Sequence, residues 1–248
     1  MEVVVIGRKF IYMLLLLFIL IQLPCDIWAI SKESNGKLIN VPYINQSNIP
    51  SGCEAVSATM LLRYYGYNIS EKDFANKYLI QKNWNIDSRG RIHGPAPDSA
   101  YSGNPYVRSG SNCGYGIYAP ALAKSIEKVL DSSTHKVNYH AGIDLDEIIE
   151  NYINKDIPVL VWATIGMIPS SKGDSWIINY IDNNSKYKIG DLFTWKRNEH
   201  CLVLVGYNGD KYCFNDPYKN RGLVWHDKLL VKKRFKEIGS QCLSILKR

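Results

Sequence analysis

In the stretch SGCEAVSATMLLRYYG, residues 51–66, apolar side chains recur at Cys53, Val56, Met60, Leu61 and Tyr64. Steps of three and four, with Met60 and Leu61 as adjacent members, put these positions on one helical face. The pattern predicts a helix over 53–65, closed by Gly66. Upstream, residues 30–46 look extended, with Val41–Ile44 as a short strand. Ser70 and Asp73 mark the start of a second helix over 71–80. Residues 81–116 then lose all periodicity and fill with Gly, Pro, Ser and Asn, the mark of a long loop of the kind that usually serves function. A third helix is expected over 118–131, with Pro120 tolerated in its first turn, and a fourth over 144–154, begun by Asp144.

The period changes in the second half. Pro158–Ala163 is an apolar run of strand length. Residues 166–190, which carry Trp176, read as a second loop region. The runs His200–Tyr207 and Lys211–Asp216 form a hairpin signature around Asn208-Gly209. A strand over 222–226, a helix over 228–237 and a strand over 241–246 complete the chain. Helices gather in the first half and strands in the second. The fold class is therefore α+β, with one domain over 30–248 and no alternating βαβ units.

The N-terminus reads as an address. Arg8 and Lys9 precede the apolar run Phe10–Leu23, which suits a signal-peptide core better than a full membrane span. Cleavage after Ala29 is expected, with an uncleaved anchor over 1–29 as the alternative and lipidation at Cys25 disfavoured by Pro24. The protein is thus expected outside the cell or on its surface, touching membrane only through this segment. The +7 net charge is spread along the chain, and its densest run, Lys232-Lys233-Arg234, falls in a predicted helix. No clustered basic stripe suggests a nucleic-acid partner. Cys53, Cys113, Cys201, Cys213 and Cys242 form no CxxC pair and no zinc-ligand spacing, so neither a metal nor a cofactor is expected. His135 and His140 flank a predicted strand, and Gly114-Tyr115-Gly116 reads as a loop.

Cys53 is the first candidate for chemistry. Ser51-Gly52-Cys53-Glu54 has the form of a capping box, which would seat the thiol in the first helical turn. Backbone N–H groups there lack intrahelical partners, and the helix dipole favours thiolate. Core packing is the competing reading of a cysteine on an apolar helix face. A thiol nucleophile needs a base, and His200 heads a strand where a loop enters it. The base needs an orienting group. With Asn208-Gly209 as the turn, Asp216 falls beside the position opposite His200, and Asn215 points to the other face. An oxyanion needs two donors, for which the Cys53 N–H and the Gln46 side chain are candidates. His200 lies 147 residues beyond Cys53 and Asp216 another 16 on. The first interval is close to the roughly 130–150 residues that separate the papain cysteine from its histidine.

The strings VPYINQSNIPSGCEAVSATMLLRYYG, GYGIYAPALAKSIE, IPVLVWAT, HCLVLVGYN and FNDP resemble the bacterial family related to the double-glycine leader peptidases that process bacteriocins. The resemblance spans residues 38–220. It implies a papain-like cysteine peptidase fold, with the nucleophile helix packed on an antiparallel sheet. It also implies that Cys53 is the nucleophile, His200 the general base and acid, Asp216 the orienter and Gln46 part of the oxyanion hole. The expected activity is amide hydrolysis by a monomer through a thioester acyl-enzyme, on a peptide or peptide-like substrate. Two alternatives share the scaffold: hydrolysis or acyl transfer on peptidoglycan stem peptides, and an inactive papain-like binding module.

Overall fold

A computed structural model describes residues 36–110 and 112–248. The expectations for residues 1–29, including Cys25, lie outside the described residues. The chain enters with strand β1 (Gly36–Leu38), and residues 39–46 are irregular, so the strand expected over 41–44 does not form. Helix α1 (Cys53–Tyr64) follows, and Gly66 leaves it at φ +86°, a conformation glycine adopts without a Cβ penalty. Helix α2 (Glu71–Asp73) is capped by Ser70, whose hydroxyl accepts the Asp73 N–H at 3.0 Å, and runs on as a π-turn over Phe74–Tyr78.

The expected loop over 81–116 holds four short strands: β2 (Gln81–Lys82), β3 (Asn85–Ile86), β4 (Ile92–Pro95) and β5 (Tyr101–Ser102). Helix α3 (Ala119–Glu127) carries Pro120 in its first turn. Next come β6 (His135–Ala141) and α4 (Leu145–Asn151), which is capped by Asp144 accepting the Asp146 N–H at 2.8 Å. The predicted apolar strand is β7 (Val159–Thr164), buried at all six positions.

Residues 166–190 are not a loop. They contain β8 (Ser171–Tyr180), which pairs with β9 (Leu192–Arg197). The hairpin strands are β10 (Glu199–Asn208) and β11 (Lys211–Asp216), and the chain ends with β12 (Gly222–Asp227), α5 (Lys228–Glu237) and β13 (Gln241–Lys247).

The main sheet has the order β12-β11-β10-β7-β13-β6, with β1 added on β10, and every pairing in it is antiparallel. Helix α1 packs on β10 and β7, α3 on β6 and β13, and α5 on β7. Strand β10 is buried from Glu199 through Gly206 at successive positions, so both its faces are covered. This is the papain-like arrangement, an N-terminal helix laid across an antiparallel sheet. A second sheet, β3-β4-β8-β9, closes over a small core of Trp176, Phe193 and Trp195 with Ala96 and Ile178.

Strand β1 lies tight against Gly206. A Cβ built at that glycine would meet the Lys37 carbonyl oxygen at 2.1 Å. Backbone on a paired strand has no room to yield. Gly206→Ala is therefore expected to cost about 1–3 kcal/mol by overpacking, read as a lower midpoint in urea with an unchanged slope.

Candidate active site

Helix α1 brings Cys53 to the site, but not through a capping box. The N-cap is Gly52, and no side chain bonds to the helix start. Ser51 instead donates its hydroxyl to the Val107 carbonyl at 3.2 Å. Glu54 turns inward, where one carboxylate oxygen accepts the Ile117 N–H at 2.9 Å. Cys53 is thus the first residue of the helix, 8 % exposed, and its sulfur is free of any disulfide.

His200 stands near the start of β10 and Asp216 at the end of β11. The hairpin that joins them differs from the predicted one by a register step. Asn208 pairs with Lys211, so the turn is Gly209-Asp210, with glycine in the first position at φ +53°. An irregularity between Leu204 and Gly206 then shifts the pairing once more, and Val203 faces Asn215. The net result still sets Asp216 beside His200. The His200 Nε2–H donates to Asp216 Oδ1 at 2.7 Å, in surroundings where the two side chains are 1 % and 0 % exposed. A carboxylate only accepts, so Nε2 carries the proton and Nδ1 keeps its lone pair. Asn215 faces away and donates to the Val41 carbonyl at 2.9 Å, as strand alternation requires.

Asp216 is held on all sides. Its Oδ1 also accepts the Tyr218 N–H at 2.9 Å, and its Oδ2 accepts Arg221 Nη1 at 3.2 Å. Burial alone would raise its pKa. The hydrogen bond and charge of His200, the Tyr218 N–H and the Arg221 cation together outweigh that effect and hold the carboxyl below its ordinary value.

Gln46 comes from the irregular segment before α1. Its backbone N–H donates to the Pro217 carbonyl at 2.9 Å, which ties this segment to the end of β11. Its amide Nε2 donates to the Pro50 carbonyl at 3.0 Å. A primary amide has two hydrogens, so one remains for a ligand. The Gln46 Oε1 is buried without a partner.

A cavity of about 240 Å³ gathers these groups. Gln46, Cys53 and His200 line it together with Arg108, Glu199 and Tyr218. Asp216 stands behind His200. All four residues singled out in the sequence are therefore brought to one place, three at the cavity wall and one supporting it. Gly114 and Tyr115 line the same wall, so the loop noted there borders the cavity. Tyr218 packs its ring edge against His200, with centroids 5.9 Å apart.

One expectation is reversed. The surroundings of the Cys53 thiol favour its protonated form. Its pKa is pushed well above the ordinary value, first by burial and then by the nearby carboxyls of Glu54 and Glu199. Its S–H donates to Glu54 Oε2 at 3.3 Å, and no hydrogen bond joins it to His200. Glu54 and Glu199 are the residues whose place here the sequence did not disclose. The available signal was an acidic residue in the first turn of an apolar helix and another at the head of an apolar strand.

Thiol, imidazole and side-chain amide thus share one cavity wall, with a buried carboxylate bonded behind the imidazole. Three observations from known proteins bear on the site. Residues 38–243 match the model of the Peptidase C39 like family. The uncharacterized protein YvpB of Bacillus subtilis (strain 168) is 26% identical over 223 residues, covering 87% of this chain and 78% of that protein. A crystal structure from Bacillus anthracis described as a C39-like peptidase is similar, with 25% identity and a TM-score of 0.69, covering 86% of this chain and 98% of its own.

Proposed function

The chain belongs to the peptidase C39-like family, as the match over residues 38–243 establishes, and from that premise we propose that it is a thiol peptidase working through Cys53, His200 and Asp216. The observation that carries this reading is the buried His200–Asp216 pair opening, with Cys53 and Gln46, onto a single cavity.

The proposed reaction draws its support from that arrangement. His200 Nδ1 takes the proton as the Cys53 S–H bond breaks, and the sulfur attacks the amide carbonyl carbon. Negative charge gathers on the carbonyl oxygen, which the Cys53 N–H and the second Gln46 amide hydrogen stabilise. The C–N bond then breaks, the imidazolium gives its proton to the departing amine, and a thioester remains. A water molecule, deprotonated by His200, attacks the thioester carbonyl and releases the acid and the thiol. Asp216 keeps the imidazole in the tautomer that leaves Nδ1 free, and stabilises the imidazolium when it forms.

Substrate is a peptide, as the family implies. Export through residues 1–29 belongs to the same proposal, since a surface peptidase acts on substrates met outside the cell. Labelling by a panel of electrophilic peptides tests the nucleophile. Covalent adduct on Cys53, found by mass spectrometry, with none on Cys201, Cys213 or Cys242, is the expected result. Those three thiols are at most 1 % exposed and line no part of the cavity. Labelling spread evenly over the cysteines would sink the proposal.

A further inference from the structure

Two acidic side chains are buried at the nucleophile without a cation. Glu54 is fully buried and Glu199 is 7 % exposed. A carboxylate oxygen from each, together with Cys53 Sγ, lie within 4.8 Å of one another. Neither glutamate takes part in a salt bridge among the described residues. Glu54 uses one oxygen for the Ile117 N–H and the other for the Cys53 thiol. Glu199 has a buried oxygen, Oε1, with no partner at all. The packing that holds Glu54 there is tight: a Cβ on Gly116 would meet its Oε1 at 2.4 Å.

Two carboxylates this close and this dry do not both ionise near neutral pH, because desolvation and mutual repulsion add. We propose that Glu54 and Glu199 share one proton, and that Glu54 is a further catalytic residue, accepting the hydrogen bond of the resting Cys53 thiol and directing its proton away from His200. Glu54 touches the reacting sulfur. Glu199 has no hydrogen bond to the sulfur and acts by its charge and by holding the proton beside Glu54, as a positioning residue. The inference rests on the reading of Cys53 as the nucleophile.

The consequence is a latch on the thiol. While S–H points to Glu54, the sulfur stays protonated. Activation breaks that hydrogen bond, turns the sulfur toward His200 Nδ1, and passes the proton there. Charge on the glutamate pair strengthens the latch, since a negative neighbour disfavours thiolate.

Burial pushes the Glu54 carboxyl up to about 7, opposed by its backbone and thiol hydrogen bonds, and pushes Glu199 well above the ordinary range, with the charge of Glu54 adding to the effect. One proton therefore leaves the pair near neutrality and the other stays. The other titratable groups that sense the pair are Cys53 on α1, Cys201 on β10, Tyr101 on β5 and Tyr118 at the head of α3. Burial raises the pKa of each, so all four stay neutral at neutral pH, and a thiol or phenol carries no positive charge in any state. His200 and Arg108 border the same cavity.

Infrared spectroscopy at about pH 8, where ordinary carboxyls are ionised, gives the first test. The wild type is expected to keep the absorption of a neutral carboxylic acid, and Glu199→Gln to lose it. A wild type without that band would overturn the shared proton. The second test is the alkylation rate of Cys53 against pH, followed by mass spectrometry. Glu54→Gln is expected to match the wild type at about pH 5.5 and to react about tenfold faster at about pH 8, one pKa unit being worth tenfold. Superimposed profiles would overturn the latch. If Glu54→Gln does not fold, the infrared comparison of wild type and Glu199→Gln still decides. A Cys53→Ala variant separates the two readings. If it loses turnover while the alkylation profiles coincide, only the glutamate inference falls. If it keeps turnover, the nucleophile assignment falls, and the infrared band stands or falls by itself.

Discussion

Cys53→Ala loses peptide-bond cleavage altogether, a fall of at least about 10⁴-fold in kcat, while the protein still folds. The size of the effect follows from the absence of a substitute at the cavity. Cys201 is fully buried, and Cys113 is not part of the cavity wall. The fold survives because the substitution deletes one sulfur atom at the edge of a cavity and one hydrogen bond, to Glu54. The lost bond costs about 1 kcal/mol, which for a domain of this size lowers Tm by about 2–4 °C. Turnover and thermal unfolding of the same preparation check both halves. Wild-type turnover in the variant would remove the nucleophile from the account, and a collapsed fold would mean that Cys53 serves the core.

That double outcome answers the two readings the sequence left open for Cys53. The helix is apolar over most of its length because α1 is buried between β10, β7 and the surrounding loops, and ten of its twelve residues are buried. Its N-terminal tip reaches the cavity all the same. Core packing and chemistry fall on one element, so periodicity detects the first and only the pairing with a distant histidine detects the second.

The hairpin was legible for a different reason. Two largely apolar and aromatic runs flank a turn with glycine, and this pins the two strands together wherever the turn falls. The predicted register was off, since Gly209-Asp210 make the turn and the ladder slips at Val205. Asp216 nonetheless lies beside His200, because a neighbouring side chain on the partner strand is within reach of an imidazole over more than one register.

Elsewhere the pattern was silent or misleading. In β8 only Trp176 and Ile178 are buried among ten residues, so the strand shows one alternation amid polar positions and reads as a loop. Its partners supply the missing information. Strand β4 pairs with it in parallel, and the Trp176 indole N–H donates to the Pro95 carbonyl at 2.9 Å. Ser51 and Glu54 fit a capping pattern and do something else, because Val107 and Ile117, more than fifty residues away, compete for them. The thiol carries the same lesson. A helix N-terminus favours thiolate locally, and burial together with two nearby glutamates pushes the other way.

Asp216→Asn keeps the shape of the dyad and removes its function. The wild-type carboxylate accepts from Nε2–H, which leaves Nδ1 free for the proposed role of base. Asparagine can present its NH₂ to Nε2 and so stabilise the opposite tautomer, with the proton on Nδ1 facing the sulfur. It also provides no charge for the imidazolium. The expected loss is about 10³–10⁴-fold in kcat with a smaller change in KM, measured by steady-state cleavage of a peptide substrate. Stability changes in a pH-dependent way that can be read separately. Asp216 has a lowered pKa in the fold, so its ionised form contributes stability that is fully present above the unfolded aspartate value of about 3.9 and fades as pH falls through the folded value. The amide that replaces it does not titrate. The wild type should therefore exceed Asp216→Asn in Tm by a constant margin from neutral pH down to about pH 4–5, and the margin should shrink below about 3.9. A Tm difference that stays flat through the acid range would mean that the charge on Asp216 does not stabilise the fold. A kcat within about tenfold of wild type would mean that His200 finds its working tautomer without it.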